Sequence, residues 1–508
     1  MSFPTLEALI AAAPPERQLG PPPFCPSQTI RAVFCDSREA AQSAQKGIFV
    51  CIVGATFDGH RFASRIYDAG CRVFAVEHPI EALPSDALQL IYPDTRKALA
   101  ALSSAFYGDP SSELTVIGIT GTKGKTTTAL LAYSLLHSLG IRAGYIGTSG
   151  IRFGDVFRES VNTTPESLIL QKTMREMADC GVRVLLMEVS SQALMQSRVH
   201  GIHFAVALFT NLSEDHIGPT EHPDFAAYRK EKRKLFTEYG VPHILLNADD
   251  PNSAEMLSEN TAATVETFSV SAPISSLPAP ALRAENVRPS LLAGDQPGIS
   301  FILRGETNAT LPAELPLPGL CNVYNALAAI AICRAIGIDP QCAVPHLKDA
   351  VVPGRCESVP TDRGVRVLID YAHNETSLRE ILTTLRPYAR KRLIVLFGSV
   401  GDRTKNRRRP MGAVASAFAD LSILTSDNPG SEPPTEILEE IRSGMDPKAP
   451  VLLIPDRKEA IEYALRIAEE GDLLLLAGKG HEEYQLIGRE RLPFSEREIV
   501  TEFLKSRV

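Results

Sequence analysis

The sequence has no C-x-x-C pair, no repeat at a fixed period, no excess of basic residues and no uncharged apolar run of membrane-spanning length. Each absence removes a class. The nine cysteines are scattered from Cys25 to Cys356, an odd number without zinc-ligand spacing. That pattern argues against structural zinc and a disulfide framework, and for a reducing compartment. A helix needs roughly 18 consecutive apolar residues to cross a bilayer, so no membrane span is expected. A net charge of −8 argues against a general binder of nucleic acid or anionic membrane, because both want a basic face. It leaves room for a local basic pocket. The first segment, MSFPTLEALIAAAPPERQ, lacks a basic n-region and carries Glu7 before its short apolar run. A signal peptide is not expected there, and a cytoplasmic protein is.

What is present is ordinary for a globular chain: 44% hydrophobic and 22% charged residues over 508 positions. At roughly 100–200 residues per domain, that length suggests about three domains. Apolar, β-rich runs alternate with helical stretches, as in GIFVCIVG (47–54), CRVFAVE (71–77), LTVIGIT (114–120), VRVLLMEVS (182–190), FAVALFTN (204–211), RLIVLFG (392–398) and DLLLLAG (472–478). Runs with so little alternation suit parallel strands covered on both faces, so the fold class is α/β. The turn-rich YGDPSSE (107–113) and VVPGRCE (351–357) suggest boundaries, giving domains at 1–112, 113–352 and 353–508. Residues 270–318, rich in Pro, Ala and Ser, read as irregular loops and short strands inside the middle domain.

The most informative stretch is LTVIGITGTKGKTTTALLAYSLLHSLG (114–140). An apolar strand runs into Gly121-Thr122-Lys123-Gly124-Lys125-Thr126-Thr127, and a helix follows to a capping Gly140. Glycines let backbone N–H groups curl round phosphate oxygens, and the helix N-terminus adds partial positive charge. Lys125 is placed to neutralise the β/γ-phosphates of ATP and the Thr126 hydroxyl to bind Mg²⁺. The usual spacing G-x-x-x-x-G-K-[ST] is missed by one place, because Ile119 stands where the first glycine belongs.

Three more residues gather at the same edge. Glu188 lies near the C-terminal end of the run 182–190, where nucleotide enzymes place a metal-holding acid. The next run ends in a polar loop with Asp215 and His216. A helix then follows in DFAAYRKEKRKLF (224–236). Phe225, Tyr228, Leu235 and Phe236 form its apolar stripe, and the position that completes the stripe is Lys232. A snorkelling lysine is the plain explanation. The alternative is chemical: burial favours the neutral amine, CO₂ adds to a neutral amine, and the resulting carbamate is a hard oxygen donor for Mg²⁺.

These residues resemble the Mur ligases of peptidoglycan synthesis, and within them the ligases that add the third peptide residue. The resemblance covers almost the whole chain. It runs through CDSREA (35–40), TGTKGKTTT (120–128), NTTPES (162–167), MEVSSQALMQSRV (187–199), FTNLSEDH (209–216), YRKEKRKLF (228–236), GLCNVYNALAA (319–329), PGRCE (353–357), IDYAHNETSL (369–378), GSVGDRTKNRRRPMG (398–412), TSDNPGSEPP (425–434) and AGKGHEEYQ (477–485). It implies a UDP-binding N-terminal domain, a central ATPase with a mostly parallel sheet, and a Rossmann-like C-terminal domain.

The resemblance also implies roles. Ser37 matches a contact to the UDP-muramoyl substrate, and Thr163, Thr164, Ser190, Gln196 and Arg198 match contacts to its sugar-peptide part. Gly121 to Thr127 match the ATP loop, with Asn322, Asn325, Arg355 and Asp370 at further nucleotide positions. Glu188 and His216 match magnesium ligands, and Lys232 the carbamylated lysine. Arg403, Asp427, Asn428, Gly478 and Glu482 match positions that grip the incoming amino acid.

The implied reaction is ATP-dependent amide ligation. The D-glutamate carboxylate is phosphorylated, and the amine of an amino acid attacks the acyl phosphate, with two Mg²⁺ ions expected. The partners are then small molecules (the UDP-muramoyl dipeptide, ATP and an amino acid), and a monomer is expected. Family members that use meso-diaminopimelate typically show D-N-P-R where this chain reads Asp427-Asn428-Pro429-Gly430. An arginine suits a planar bidentate contact with a distal carboxylate, which Gly430 cannot make. The expectation therefore leans to a diamino acid without that carboxylate, such as lysine or ornithine, unless Arg407, Arg408 or Arg409 reaches in. Rival readings are another Mur or folylpolyglutamate-type ligase, and a partner-gated P-loop ATPase.

Overall fold

In the computed structural model, residues 3–21, 29–54, 57–215, 217–218, 221–257, 263–271, 273–305, 310–361, 364–403 and 405–506 are described. The chain divides into two compact units. One is Met1–Pro280 with Ala331–Gly337, and the other is Ala281–Ile330 with Ile338–Val508.

The first unit holds two sheets. The N-terminal one comprises β1 (Arg17–Leu19), β2 (Ala32–Phe34), β3 (Gly47–Val50), β4 (Val73–Val76) and β5 (Leu88–Ile91), in the order β1-β5-β4-β3-β2. Only β1 runs antiparallel to its neighbour. Helix Thr95–Phe106 packs Leu99 and Leu102 over Val33, Ile48 and Val50, while Phe34, Phe49 and Phe74 fill the opposite face.

The second sheet carries the phosphate loop. Its strands are β6 (Thr115–Thr120), β7 (Ala143–Gly147), β8 (Gly150–Phe153), β9 (Val156–Arg158), β10 (Val184–Glu188), β11 (Phe204–Phe209), β12 (His243–Asn247) and β13 (Thr264–Ser269). Their spatial order is β13-β12-β11-β6-β10-β7-β8-β9. The strands from β13 to β7 are parallel, and β8 and β9 add an antiparallel edge. Strand β6 is buried between β10 and β11, which explains its unbroken apolar run. Register matters here. Glu188 pairs with Ile119 and Phe209 with Thr120, so β6, β10 and β11 end level at one edge. The crevice beyond the carboxyl ends of parallel strands is where such sheets bind ligands.

The second unit has a six-stranded sheet of β17 (Glu357–Val359), β18 (Arg366–Asp370), β19 (Leu393–Phe397), β20 (Leu421–Leu424), β21 (Val451–Leu453) and β22 (Leu473–Ala477), ordered β17-β18-β22-β19-β20-β21. All but β17 run parallel, as a Rossmann-like fold requires. Residues 282–315 differ from the loops and short strands expected of them. They form three antiparallel strands, β14 (Leu282–Leu292), β15 (Gln296–Gly305) and β16 (Thr310–Leu315). Their alternating exposure escaped notice because Asn286, at φ 52°, interrupts the register between Glu285 and Arg288, and Pro289 sits inside a strand. No helix among the described residues is long and apolar enough to cross a membrane.

Candidate active site

The phosphate loop is shaped by a residue that must lack a side chain. Gly121 has φ +146°, and a Cβ there would lie 2.0 Å from Thr210 Oγ1. The far side of the loop is stitched to the end of β11. Thr210 Oγ1 and Asn211 Nδ2 donate to the Lys123 carbonyl at 2.7 and 3.0 Å, and Asn211 Oδ1 accepts from the Lys123 N–H at 3.0 Å. Helix Lys125–Ser138 then starts after Gly124 with no side-chain cap, which suits it to an anion. It ends at Leu139–Gly140, as the sequence predicts.

Two lysines converge on this loop. Lys125 Nζ donates to the Gly121 and Thr122 carbonyls at 2.8 and 3.0 Å. Lys232 comes from helix Phe225–Thr237, whose buried residues are Tyr228, Lys232, Leu235 and Phe236. Its Nζ also donates to the Gly121 carbonyl, at 2.8 Å, and lies 4.7 Å from the Tyr228 ring centroid. At 1% exposure, this side chain does not snorkel to solvent. Burial, and then the nearby Lys125 ammonium, push its pKa well below the ordinary lysine value, against a weaker pull from Asp215. Both effects favour the neutral amine over the ammonium.

Glu188 is completely buried at the end of β10. Its Oε2 accepts from Thr126 Oγ1 at 2.9 Å and Thr148 Oγ1 at 3.2 Å. Its Oε1 accepts from Tyr145 OH at 2.6 Å and the Thr148 N–H at 2.9 Å. Four donors offset the cost of burying a carboxylate. Burial, with the Glu188 charge behind it, drives the Tyr145 phenol well above its ordinary pKa, so it remains a donor. Tyr145 and Thr148 were not singled out in the sequence. The Thr126 hydroxyl and Glu188 carboxylate form the kind of hard-oxygen pair that takes Mg²⁺, so the residues present fit that ion. His216 lies outside the described residues.

The neighbouring contacts also gather. Thr164 Oγ1 donates to the Glu188 carbonyl at 2.8 Å and accepts from the Ser190 N–H at 3.0 Å. Thr163 and Thr148 hydroxyls are 3.1 Å apart. Arg198 donates to the Thr164 carbonyl at 2.8 Å and to Gln196 Oε1 at 2.7 Å, and pairs with Glu166 at 2.9 Å. Ser37 opens a single helical turn beside Cys35, whose thiol is pushed up to about 11 by burial and then by Glu166. That ties the Ser37 loop to the Arg198 cluster.

In the second unit, buried Asp370 at the end of β18 accepts from the Cys356 and Ala372 N–H groups at 2.8 and 2.9 Å. Burial raises its pKa and the Arg355 guanidinium opposes. Arg355 stacks over the Tyr371 ring at 4.8 Å. Asn325 Nδ2 donates to Asn322 Oδ1 at 3.0 Å.

The residues expected to meet the incoming amino acid cluster at the ends of β20 and β22. Asn428 Nδ2 donates to Glu482 Oε2 at 2.9 Å, and a side chain at Gly478 would meet Asp427 Oδ2 at 2.7 Å. Arg403 is exposed. Half-buried Arg407 has its pKa lowered by burial and then by the Arg403 charge, with the Asp427 carboxylate opposing. Arg408 is consumed elsewhere, by Glu432 at 2.9 Å and Glu440 at 2.8 Å. Lys479, which the sequence reading passed over inside GKGHE, is fully buried among these groups.

Asp58, His60 and His78 also lie close enough together to suggest a metal. They do not fit one. His60 Nδ1 is 2.6 Å from Asp58 Oδ1, and its Nε2 accepts the Glu77 N–H at 3.0 Å, leaving no ring lone pair.

Comparison with known proteins places this geometry. The Mur ligase middle domain matches residues 119–333, and the Mur ligase glutamate ligase domain matches residues 354–480. A UDP-N-acetylmuramoyl-L-alanyl-D-glutamate--2,6-diaminopimelate ligase of Geobacillus thermodenitrificans is 38% identical over 487 residues, covering 94% of this chain and 95% of the relative. One of the same name from Chlorobaculum tepidum is 40% identical over 475 residues, covering 92% and 91%. A solved structure of a ligase of that name superposes with a TM-score of 0.68 at 27% identity, covering 95% of this chain and 96% of the other.

Proposed function

The chain belongs to the Mur ligase family, and we propose that it joins the third amino acid to UDP-N-acetylmuramoyl-L-alanyl-D-glutamate in peptidoglycan precursor synthesis. It is an ATP-dependent, ADP-forming amide ligase that uses Mg²⁺. The observation that carries the residue-level reading is the convergence of Lys125 and the buried Lys232 on the Gly121 carbonyl, beside the Thr126–Glu188 pair. The division at 1–112, 113–352 and 353–508 belongs to the same proposal.

Residues 121–127 hold the ATP phosphates with backbone N–H groups, and Lys125 swings from the loop carbonyls to offset charge on the transferring phosphoryl group. Thr126 and Glu188, with His216, would hold Mg²⁺, which supplies charge neutralisation between the phosphoryl group and its acceptor. Neutral Lys232 is the form that adds CO₂, and its carbamate would extend that oxygen set. Asn322, Asn325, Arg355 and Asp370 serve the nucleotide. Ser37, Thr163, Thr164, Ser190, Gln196 and Arg198 orient the UDP-dipeptide so that its D-glutamate carboxylate meets the γ-phosphate. The acyl phosphate that forms makes phosphate the leaving group. The incoming α-amine, positioned by Arg403, Asp427, Asn428, Gly478 and Glu482, attacks the carbonyl carbon and expels it.

We infer that the amino acid is 2,6-diaminopimelate. Gly430 leaned the expectation to lysine or ornithine, and the relatives' names point the other way. Position 430 has a local reason to be glycine: its φ is +58° and a Cβ would lie 2.1 Å from Asp402 Oδ2. Arg407, which feels the Asp427 charge and is not tied up by Glu432 and Glu440 as Arg408 is, supports a second route to a cation for the distal carboxylate. The test is phosphate release from ATP and the UDP-dipeptide with L-lysine, L-ornithine, and meso- and LL-diaminopimelate offered singly. Release with a diaminopimelate isomer alone is expected. Release with lysine or ornithine would overturn the choice of amino acid, and silence with all four would overturn the ligase reading.

A further inference from the structure

Lys479 has no place in the mechanism so far. It is 0% exposed, and its ammonium meets polar groups of the amino-acid cluster. Its Nζ donates to Asn428 Oδ1 at 3.0 Å and to Glu482 Oε2 at 3.1 Å, and lies 3.9 Å from Asp427 Oδ1. The Tyr484 ring centroid is 5.3 Å away. One amine thus touches three of the side chains assigned to amino-acid binding.

The chemistry of an ammonium makes these contacts directional. Lys Nζ carries only donors, so the Asn428 atom facing it must be the oxygen. The Leu486 N–H reaches the same Oδ1 at 3.0 Å. A flipped amide would set its NH₂ against two donors. With the oxygen engaged by both donors, Nδ2 gives a hydrogen to Glu482 Oε2. Glu482 Oε2 takes both Asn428 and Lys479, which fixes the carboxylate beside the amide.

We propose that Lys479 is the positioning residue of the amino-acid site, fixing the amide orientation of Asn428 and the carboxylate of Glu482 through direct contact with both. This rests on the reading of Asp427, Asn428 and Glu482 as amino-acid contacts. A purely structural ion pair would show itself as lost stability alone. A positioning residue separates the two halves of the reaction, because acyl-phosphate formation precedes the amine.

The test uses the full-length enzyme and the amino acid that the wild type accepts. Lys479→Met should raise KM for that amino acid by about ten-fold or more. Exchange of labelled ADP into ATP, with UDP-dipeptide and no amino acid, should continue at the wild-type rate. Lys479→Gln, which keeps a donor but no charge, should raise that KM too, by a smaller factor. If Lys479→Met does not give folded protein, Lys479→Gln alone decides, by a raised amino-acid KM with exchange intact. Wild-type KM in a folded Lys479→Met, or equal losses in both half-reactions in the variant tested, would overturn the proposal. A wild type without amino-acid-dependent turnover would instead overturn the ligase reading, and this proposal with it.

Discussion

Lys125 Nζ and Lys232 Nζ each lie 2.8 Å from the carbonyl oxygen of Gly121. Two ammonium groups on one acceptor repel, and the buried member yields. Burial and the neighbouring Lys125 lower the pKa of Lys232 and so favour its neutral, nucleophilic form.

That lowered pKa gives stability a slope with pH. The folded-state pKa of Lys232 lies below its unfolded value, so between the two values unfolding takes up a proton there. Its contribution to stability rises with pH and is lost as pH falls below the ordinary lysine range. Denaturant titrations in carbonate-free buffer between about pH 7 and pH 10 should show wild type gaining on Lys232→Met as pH rises. Parallel curves would mean that Lys232 is charged in the fold.

Carbamylation is separately testable. Labelled bicarbonate should give wild-type enzyme a carbamate resonance that Lys232→Ala lacks. Ligation by Lys232→Ala should drop by about a hundred-fold or more, the scale of losing a transition-state charge partner. Full activity in that variant would rule the carbamate out.

Tyr145→Phe removes one of the four donors to buried Glu188. Leaving that oxygen with fewer partners should cost about 1–3 kcal/mol in chemical denaturation. MgATP should also bind more weakly, because the carboxylate loses its fixed orientation.

Gly121→Ala drives a Cβ into Thr210 Oγ1 at a backbone conformation that L side chains rarely adopt. Strain of about 1–3 kcal/mol is expected, with loss of nucleotide affinity by calorimetry. Adding Thr210→Ala should relieve the clash but not the backbone strain, giving partial recovery.

If Arg407 meets a distal carboxylate, Arg407→Met should raise KM for diaminopimelate by about ten-fold. KM for the UDP-dipeptide should stay within two-fold, roughly the noise of additivity between distant sites. An unchanged diaminopimelate KM would move that contact to Arg403.

Much of this site was legible before any coordinates. The phosphate loop showed itself through G-K-T-T after an apolar strand, and Lys232 through a charge on an otherwise apolar stripe. Both signals are local. Tyr145 was hidden because its strand is ordinary and apolar, and its hydroxyl finds Glu188 only after β7 and β10 pair. Lys479 was hidden for a related reason. Its partners Asn428 and Glu482 come from different chain segments, and burial cannot be read from a lysine in a loop. The antiparallel strands of 282–315 were missed because a bulge at Asn286 breaks their alternation.

The level endings of β6, β10 and β11 bear on how the protein is made. The phosphate loop is complete as sequence by Thr127, yet its Gly121 carbonyl is gripped by an amine that follows 111 residues later. Between them come three parallel crossovers, into β7, β10 and β11, contacts that form slowly because each must close a long loop of chain. On the ribosome, the loop emerges early and waits. Only when Thr237 has left the exit tunnel does the helix that carries Lys232 exist to finish it.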